Sequence, residues 1–554
     1  MTIARTFLLV VILSASPLLR AQQMANTSAA LDKIFERWNS KETPGCAVAV
    51  AREGKIILSR AYGMADLEHD IINSAETIFE AGSVSKQFTA GALVMLAQQG
   101  KLALEDPMHK HVPELPDYGT PITLRHLLTH TSGLRDWGSV AGISGWPRTT
   151  RVHTHAHVLD ILSRQHTLNF PPGQEYSYSN SGFNLLAIIV ERVSGMPFAD
   201  FCKKNIFEPL GMKHTQWRDN YRRIVKGRAV AYAGARQGGG FEMDMPFENV
   251  HGNGGLLTTV GDLLIWTENL ETGKIGGPAF LEMMHRQGKL NNGKTITYAS
   301  GLYVTSYKGL PEVSHTGSTA GYRAFLARYP KQRLAVALLT NIGSINPGQV
   351  GHTVADLFLP PISAQEPGEP AGRGGAPAKT LPMPEKELNG KAGIYRHSVT
   401  WEPLRLIVAN GELRLQRGGT LVPVSANLFR IGERRLTFEP VPGTGRSRIR
   451  DARPGEEEII YEPAEEYAPG AADLAAYTGE YYSADAEAAL TAAVDNGRLL
   501  FRRRPDARIP LTPVYKDVFE SSLGLVRFLR DANGRVTQMS VRQDRVYDMR
   551  FDRK

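Results

Sequence analysis

The stretch "AGSVSKQF", residues 81 to 88, sets a serine three positions before a lysine where a helix begins. Three residues is close to one helical turn, so Ser83 and Lys86 share a face and their side chains can meet. A lysine desolvated beside cationic or apolar groups has a lowered pKa, and its neutral amine can take the proton of a serine hydroxyl. A helix start adds unpaired N–H groups and the positive end of a dipole, which favour negative charge developing on a substrate oxygen. The chemistry would be acyl transfer through an activated serine. The same spacing also occurs as two solvated polar residues, and alone it does not separate the two readings.

Two further stretches separate them. "FPPGQEYSYSNSGFNLL" carries Tyr178, Ser179 and Asn180 on a loop between a Pro-Pro-Gly turn and a helix, and "VSHTGSTAGYRAFLARY" places His315, Thr316 and Gly317 at the edge of a strand whose partner follows shortly. In the order Ser-x-x-Lys, Tyr-x-Asn, His-Thr-Gly, the chain resembles the penicillin-recognising serine hydrolases, the superfamily of class C β-lactamases, DD-peptidases and D-aminopeptidases. "ITLRHLLTHTSGL" from Ile122 to Leu134 and "GNGGLLTTVGDLLIW" from Gly252 to Trp266 look like stretches of the same superfamily. The resemblance covers roughly residues 28 to 359. It implies that Ser83 attacks the acyl carbonyl and becomes an acyl-enzyme, with Lys86 as base or as the charge that lets another base work. Tyr178 would pass the proton to the leaving group, and which of Lys86 and Tyr178 is the general base stays open. Asn180, His315, Thr316 and Gly317 would bind substrate, and the backbone N–H groups of Ser83 and Ser318 would form the oxyanion hole. The β-lactamases usually carry Lys-Thr-Gly as the third motif, where a fixed cation meets the substrate carboxylate; here His315 stands instead, charged only part of the time near neutral pH. His-x-Gly is similar to what certain secreted DD-carboxypeptidases, D-aminopeptidases and esterase-like relatives carry.

Elements must position these groups. "CAVAVAREGKIILSRAYG" alternates small apolar residues around Glu53 and Gly54, as a hairpin does, so an antiparallel sheet begins early. Helices are predicted from Gln87 to Gln99, from Leu159 onward and from Asn184 to Gly195, the first and last closing on a glycine. "YRAFLARY" and "LAVALLTN", joined by "PKQR", return to strands. Strands at both ends with helices between predict an α/β or α+β domain over residues 28–359. Residues 360–384, rich in Pro, Gly and Ala without periodicity, read as a linker. Beyond it the chain repeats itself: "LNGKAGIY" at Leu388 aligns with "LAAYTGEY" at Leu474 and "NGELRL" at Asn410 with "NGRLLF" at Asn496, 86 positions apart, while Pro423, Phe429 and Phe438 match Pro513, Phe519 and Phe528 at 90. Two related β units, 385–465 and 470–554, are predicted as small antiparallel barrels. By domain order the plan looks like that of serine D-aminopeptidases, in which a barrel loop narrows the cleft; barrels that only pack or assist oligomerisation are the alternative.

Composition bounds the function classes. At 554 residues, with 42% hydrophobic and 22% charged, the chain is an ordinary globular protein of several domains. Its charge of +8 is spread out, which excludes a concentrated nucleic-acid face; the one tight cluster, Arg502 to Pro505, reads as a solvated strand or loop. The start, with Arg5, an apolar run from Phe7 to Leu13 and small residues up to Ala21, has the pattern of a cleaved export signal over residues 1–21, too short to anchor in a bilayer, and implies a periplasmic or secreted protein. Cys46 and Cys202 lie in apolar contexts and read as core residues. His153, His155 and His157 lack the continuation of a metallo-hydrolase, and His126 and His130 lack the Glu of a zinc-protease helix, so no metal and no cofactor is expected. The reading is an exported serine hydrolase cleaving amide bonds of small peptides with D-residues, as a D-aminopeptidase or DD-carboxypeptidase would. A short-chain esterase, a weak β-lactamase, or a penicillin- or partner-binding protein with little turnover are the alternatives. A homo-oligomer is compatible with all of them.

Overall fold

A computed structural model describes residues 17–235, 239–360, 382–453 and 458–554. The charged start and apolar run of the expected export signal, and nearly all of the expected linker, lie outside the described residues. No described helix is long and apolar enough to cross a membrane.

Strand β1 (Cys46–Arg52) is buried along all but its last residue. It turns through Glu53 and Gly54, both at positive φ, into β2 (Lys55–Tyr62), the two-residue turn that right-handed strand twist favours. With β3 (Tyr303–Tyr307), β4 (Leu310–Thr319), β5 (Tyr322–Tyr329) and β6 (Leu334–Thr340) they form an antiparallel sheet in the order β3-β4-β5-β6-β1-β2. The period-2 alternation divides the chemistry of the two faces. Val48, Val50, Val336 and Leu338 pack with the helices at the sequence ends of the domain, whereas Ala47, Ala49 and Ala337 face the helical layer. Alanine there lets a helix approach closely.

The helices of interest are α1 (Pro17–Phe35), α2 (Lys86–Gln98), α3 (Trp137–Ser144), α4 (Asn180–Ser194), α5 (Val260–Thr272) and α6 (Pro347–Asp356). Helices α1 and α6 cover one face of the sheet; α5 packs on the other, with α2 and α4 beyond it. Helix α2 is buried from Lys86 through Val94, so it has no polar face and sits as a central post. Three expectations shift. The helix expected to begin near Ser83 is a 3₁₀ turn over Gly82–Ser85, and α-helix starts only at Lys86. Asn180, expected on a loop, is the first residue of α4, which therefore begins four residues before Asn184. His315, Thr316 and Gly317 lie within β4 rather than at its edge, paired to Leu326, Phe325 and Ala324.

Both C-terminal units are nearly closed antiparallel barrels, of eight and nine strands. In each, the two strands at the open ends of the hydrogen-bonding order are neighbours in the chain, Glu412–Leu415 with Val422–Pro423 and Ala507–Pro510 with Thr512–Tyr515, so the backbone itself bridges the seam. The duplication is visible atom by atom. The hydroxyls of Tyr395 and Tyr481 each donate to the carbonyl four residues back, at 2.7 and 2.8 Å, and Asn410-Gly411 and Asn496-Gly497 make the same positive-φ turn. The offset changes from 86 to 90 where the second barrel has its extra strand, Ala507–Pro510.

The second barrel docks on the helical layer, its interior forming one continuous apolar cluster with the catalytic-size domain. Arg135, 2% exposed, bonds Asp485 at 2.6 Å and the Asp548 carbonyl at 2.7 Å. Arg503, expected to be solvated, instead donates to the carbonyls of Gly142 and Ile143 at the end of α3. The first barrel meets the second through Ile394, Val514, Tyr515 and Val518.

Candidate active site

Strand Phe79–Glu80 pairs with Leu256–Thr258 and delivers the chain into the 3₁₀ turn that carries Ser83. Gly82 has φ +52°, and a Cβ there would stand 2.5 Å from the Ser318 nitrogen, so glycine alone allows the turn to press on β4. Gly317 makes the reciprocal approach: a Cβ would lie 2.0 Å from the Ala81 carbonyl oxygen and 3.1 Å from the Ser83 nitrogen. These two glycines bring the backbone of Ser83 and Ser318 together. Gly317→Ala must push β4 off the turn, and a displacement of that kind lowers kcat/KM by about 100-fold, measured against a circular dichroism spectrum that stays wild-type.

Ser83 is half-buried and Lys86 fully buried. The Lys86 amine lies 3.1 Å from Ser83 Oγ, 3.0 Å from Asn180 Oδ1 and 2.6 Å from the Asn253 carbonyl oxygen. The two carbonyl oxygens can only accept. In a neutral amine they take both hydrogens, and the remaining lone pair faces the serine hydroxyl. Burial first and the Arg545 charge second hold the Lys86 pKa well below the usual lysine value, against the opposite pull of Asp136.

The ring of Tyr178 floors this pocket, with the Lys86 amine 4.8 Å and the Arg545 guanidinium 5.1 Å from its centroid. His130, at φ 58°, packs on the same ring at 4.2 Å and accepts the Ser179 N–H at Nδ1. The Tyr178 hydroxyl is buried; burial raises the phenol's pKa, and hydrogen bonding with the Ser83 side chain lowers it by less. Asn180 is positioned by Asp136, whose Oδ2 accepts the Asn180 N–H at 2.8 Å while its Oδ1 caps α3 through Ser139. Asn253 is held by Asn184 at 2.7 Å, and Asn184 in turn accepts from the Trp137 indole.

His315 departs from the expected partly charged group. It is 3% exposed, its Nδ1–H donates to the Thr316 carbonyl at 2.6 Å and its Nε2 accepts from the Tyr298 hydroxyl at 3.0 Å. Burial, and then the Lys86 charge, push its pKa down to about 3. It is a neutral imidazole at physiological pH. Thr316 and Ser318, alternating with it along β4, present exposed side chains.

A cleft of about 660 Å³ opens over these groups, lined by Ser83, Tyr178, His315 through Ser318, Arg323 and Arg545 among others. Every expected site residue is brought to it or, for Lys86 and Asn180, directly behind it. Three contributors were not singled out from sequence. Asp136 stands in an unremarkable "LRDW"; Asn253 falls inside the flagged glycine-rich stretch without a role; Arg545 arrives from the second barrel, beyond the reach of any local motif. The set-aside histidines have local work: His126 and His157 complete capping boxes with Thr123 and Thr154, and His155 bonds the His251 carbonyl.

A sequence-family profile described as Beta-lactamase matches residues 30–358. Penicillin-binding protein 4* of Bacillus subtilis is 30% identical over 334 residues, 56% of this chain and 71% of that one. Among solved structures, the octameric penicillin-binding protein homologue from Pyrococcus abyssi superposes with a TM-score of 0.54 at 23% identity, covering 80% of this chain and all of that one. D-amino acid amidase from Ochrobactrum anthropi SV3 superposes at 0.51 and 23%, covering 60% and 98%. Matched over more than half its length, with the nucleophile turn, the tyrosine loop and the third-motif strand converging on one cleft, the chain belongs to the Beta-lactamase family, within the superfamily of serine β-lactamases and penicillin-binding proteins.

Proposed function

We propose that this protein is an exported serine hydrolase that cleaves amide bonds of small peptides bearing D-residues through an acyl-enzyme on Ser83. The observation that carries the reading is the three-point seating of the Lys86 amine, which in its neutral form turns its lone pair toward Ser83 Oγ. Lys86 takes the Ser83 proton as Oγ bonds to the substrate carbonyl carbon. The N–H groups of Ser83 and Ser318 receive the charge forming on the carbonyl oxygen. Tyr178, kept protonated by burial, gives its proton to the departing nitrogen and recovers one from Lys86 as the C–N bond breaks. Water then follows the same path in reverse order to release the acid and free Ser83. The D-amino acid amidase and penicillin-binding protein names among the similar proteins support the substrate class. Export rests on the basic and apolar start of the chain.

The test is intact-protein mass after incubation with a fluorophosphonate and, separately, a penicillin, followed by turnover of D-alanyl amide, D-Ala-D-Ala and nitrophenyl ester panels. An adduct mapped to Ser83, absent from Ser83→Ala, with D-residue amides preferred, is the expected result. Esters outrunning amides would move the assignment to an esterase. Absence of any adduct would favour a binding protein and end the hydrolase reading.

A further inference from the structure

Resting on that reading, we propose that Arg545, carried into the cleft by the second barrel, binds the free carboxylate of the leaving residue and thereby sets the enzyme to remove a single C-terminal residue.

Among the described residues the cleft lining contains no aspartate or glutamate, and its charged members are Arg323 and Arg545. A substrate recognised by a free ammonium would find no carboxylate there, whereas a free carboxylate meets two guanidinium groups. The third motif cannot take the carboxylate by charge, because both ring nitrogens of His315 are already committed, one to the Thr316 carbonyl and one to the Tyr298 hydroxyl. Arg323 is also partly committed: one of its terminal nitrogens donates to the carbonyls of Ala320 and Tyr322. The Arg545 guanidinium makes no hydrogen bond among the described residues; its ion-pair partner, Asp136, is 4.0 Å away.

Its location selects the leaving group. Tyr178 faces the departing nitrogen, and in an α-amino acid the carboxylate carbon is two bonds from that nitrogen, about 2.5 Å. The carboxylate of the leaving residue therefore falls close to the Tyr178 ring, over which Arg545 sits at 5.1 Å. The residue stands in a two-residue turn between Val536–Gln543 and Val546–Arg553 whose backbone is fixed to the catalytic-size domain. Asp136 N–H and the Asn169 side-chain amide both donate to the Arg545 carbonyl, at 3.2 and 3.0 Å, and Asn169 accepts from Tyr547 N–H at 2.9 Å. Arg545 also lines a second cavity, of about 590 Å³, with Ser139, Glu402, Arg542 and Asp544 on its far side. It thus borders both spaces, and a leaving group extended from the cleft toward the second one meets it.

The experiment compares acetyl-D-Ala-D-Ala with its C-terminal amide in the full-length wild type and in Arg545→Leu, Arg545→Lys and Arg545→Glu. The expected wild-type preference for the free carboxylate drops by about 100-fold in Arg545→Leu, is partly kept in Arg545→Lys and is inverted in Arg545→Glu. Any effect of Arg545 on the Lys86 amine acts on both substrates and cancels in the ratio. Fluorophosphonate labelling of Ser83 in each variant reports an intact fold, and protection of Ser83 from the label by each compound reads the same preference without turnover. Normal labelling with a ratio that Arg545→Leu leaves unchanged overturns the assignment of Arg545 while the hydrolase stands. No labelling, turnover or protection in the wild type overturns both.

Discussion

Lys86→Met lowers kcat on amide substrates by about 10⁴-fold, the upper end of what a positioned general base contributes, and leaves a folded protein. Methionine keeps the volume of the aliphatic stem in a site that is fully buried, but offers no lone pair to Ser83 Oγ. Lys86→Arg is equally inactive, since a guanidinium stays protonated. The pH dependence has a definite sign. The folded-state pKa of Lys86 lies well below its unfolded value of 10.5, so across the interval between them the unfolded chain binds more protons, and wild-type stability rises with pH. As pH falls through that interval wild type loses stability, and the loss is complete below the folded pKa; the methionine variant has no such term. Urea midpoints of the two proteins, measured from pH 10 downward, should diverge in favour of Lys86→Met. The acid limb of wild-type kcat should follow deprotonation of the same amine. A variant retaining a tenth of wild-type turnover would remove Lys86 from the role of base.

Glu80→Ala destabilises the catalytic-size domain by about 3–5 kcal/mol, the cost of leaving a buried ion without its partner. Glu80 is fully buried and receives a two-point bond from Arg218 at 2.8 and 3.0 Å; Arg218, 1% exposed, also bonds the backbone carbonyl of Glu248 and lies 3.7 Å from its carboxylate, which is paired to Arg148. Arg228 approaches Glu80 at 3.6 Å. Removing Glu80 strands cations in a dry site, whereas Glu80→Leu together with Arg218→Met removes charges of both signs and should recover much of the loss. The readout is urea unfolding followed by the fluorescence of Trp217, buried next to Arg218. Because Glu80 is three residues before Ser83 on the strand that feeds the nucleophile turn, kcat should fall in the single variant even under conditions where it stays folded. Equal midpoints for wild type and Glu80→Ala would show that the cluster carries no net stability.

What sequence made legible follows the range over which each interaction acts. Ser83 and Lys86 are one turn apart, so local geometry predicts their meeting, and the Glu53-Gly54 hairpin and the duplicated Asn-Gly turns are likewise decided by a few adjacent residues. The helix predicted from Gln87 to Gln99 runs from Lys86 to Gln98, but the turn before it is 3₁₀ rather than α, where Gly82, at φ +52°, packs closely on β4, a contact far along the chain. The neutral state of His315 is hidden from sequence for a related reason. A histidine's ordinary pKa says nothing of the burial and the Lys86 charge that move it. Glu80 and Arg218 pair across more than a hundred residues, and Arg503 reads as a surface cation until the second barrel seats it against α3. Arg545 is the extreme case, having no neighbour in sequence that belongs to the site.

That last feature makes the cleft the joint possession of two domains. Ser83 and Lys86 belong to the first, and the turn bearing Arg545 is held beside them where the Asp136 N–H and the Asn169 side-chain amide grip the Arg545 carbonyl. Anything that loosens that grip opens one wall of the cleft and leaves the nucleophile and its lysine where they are.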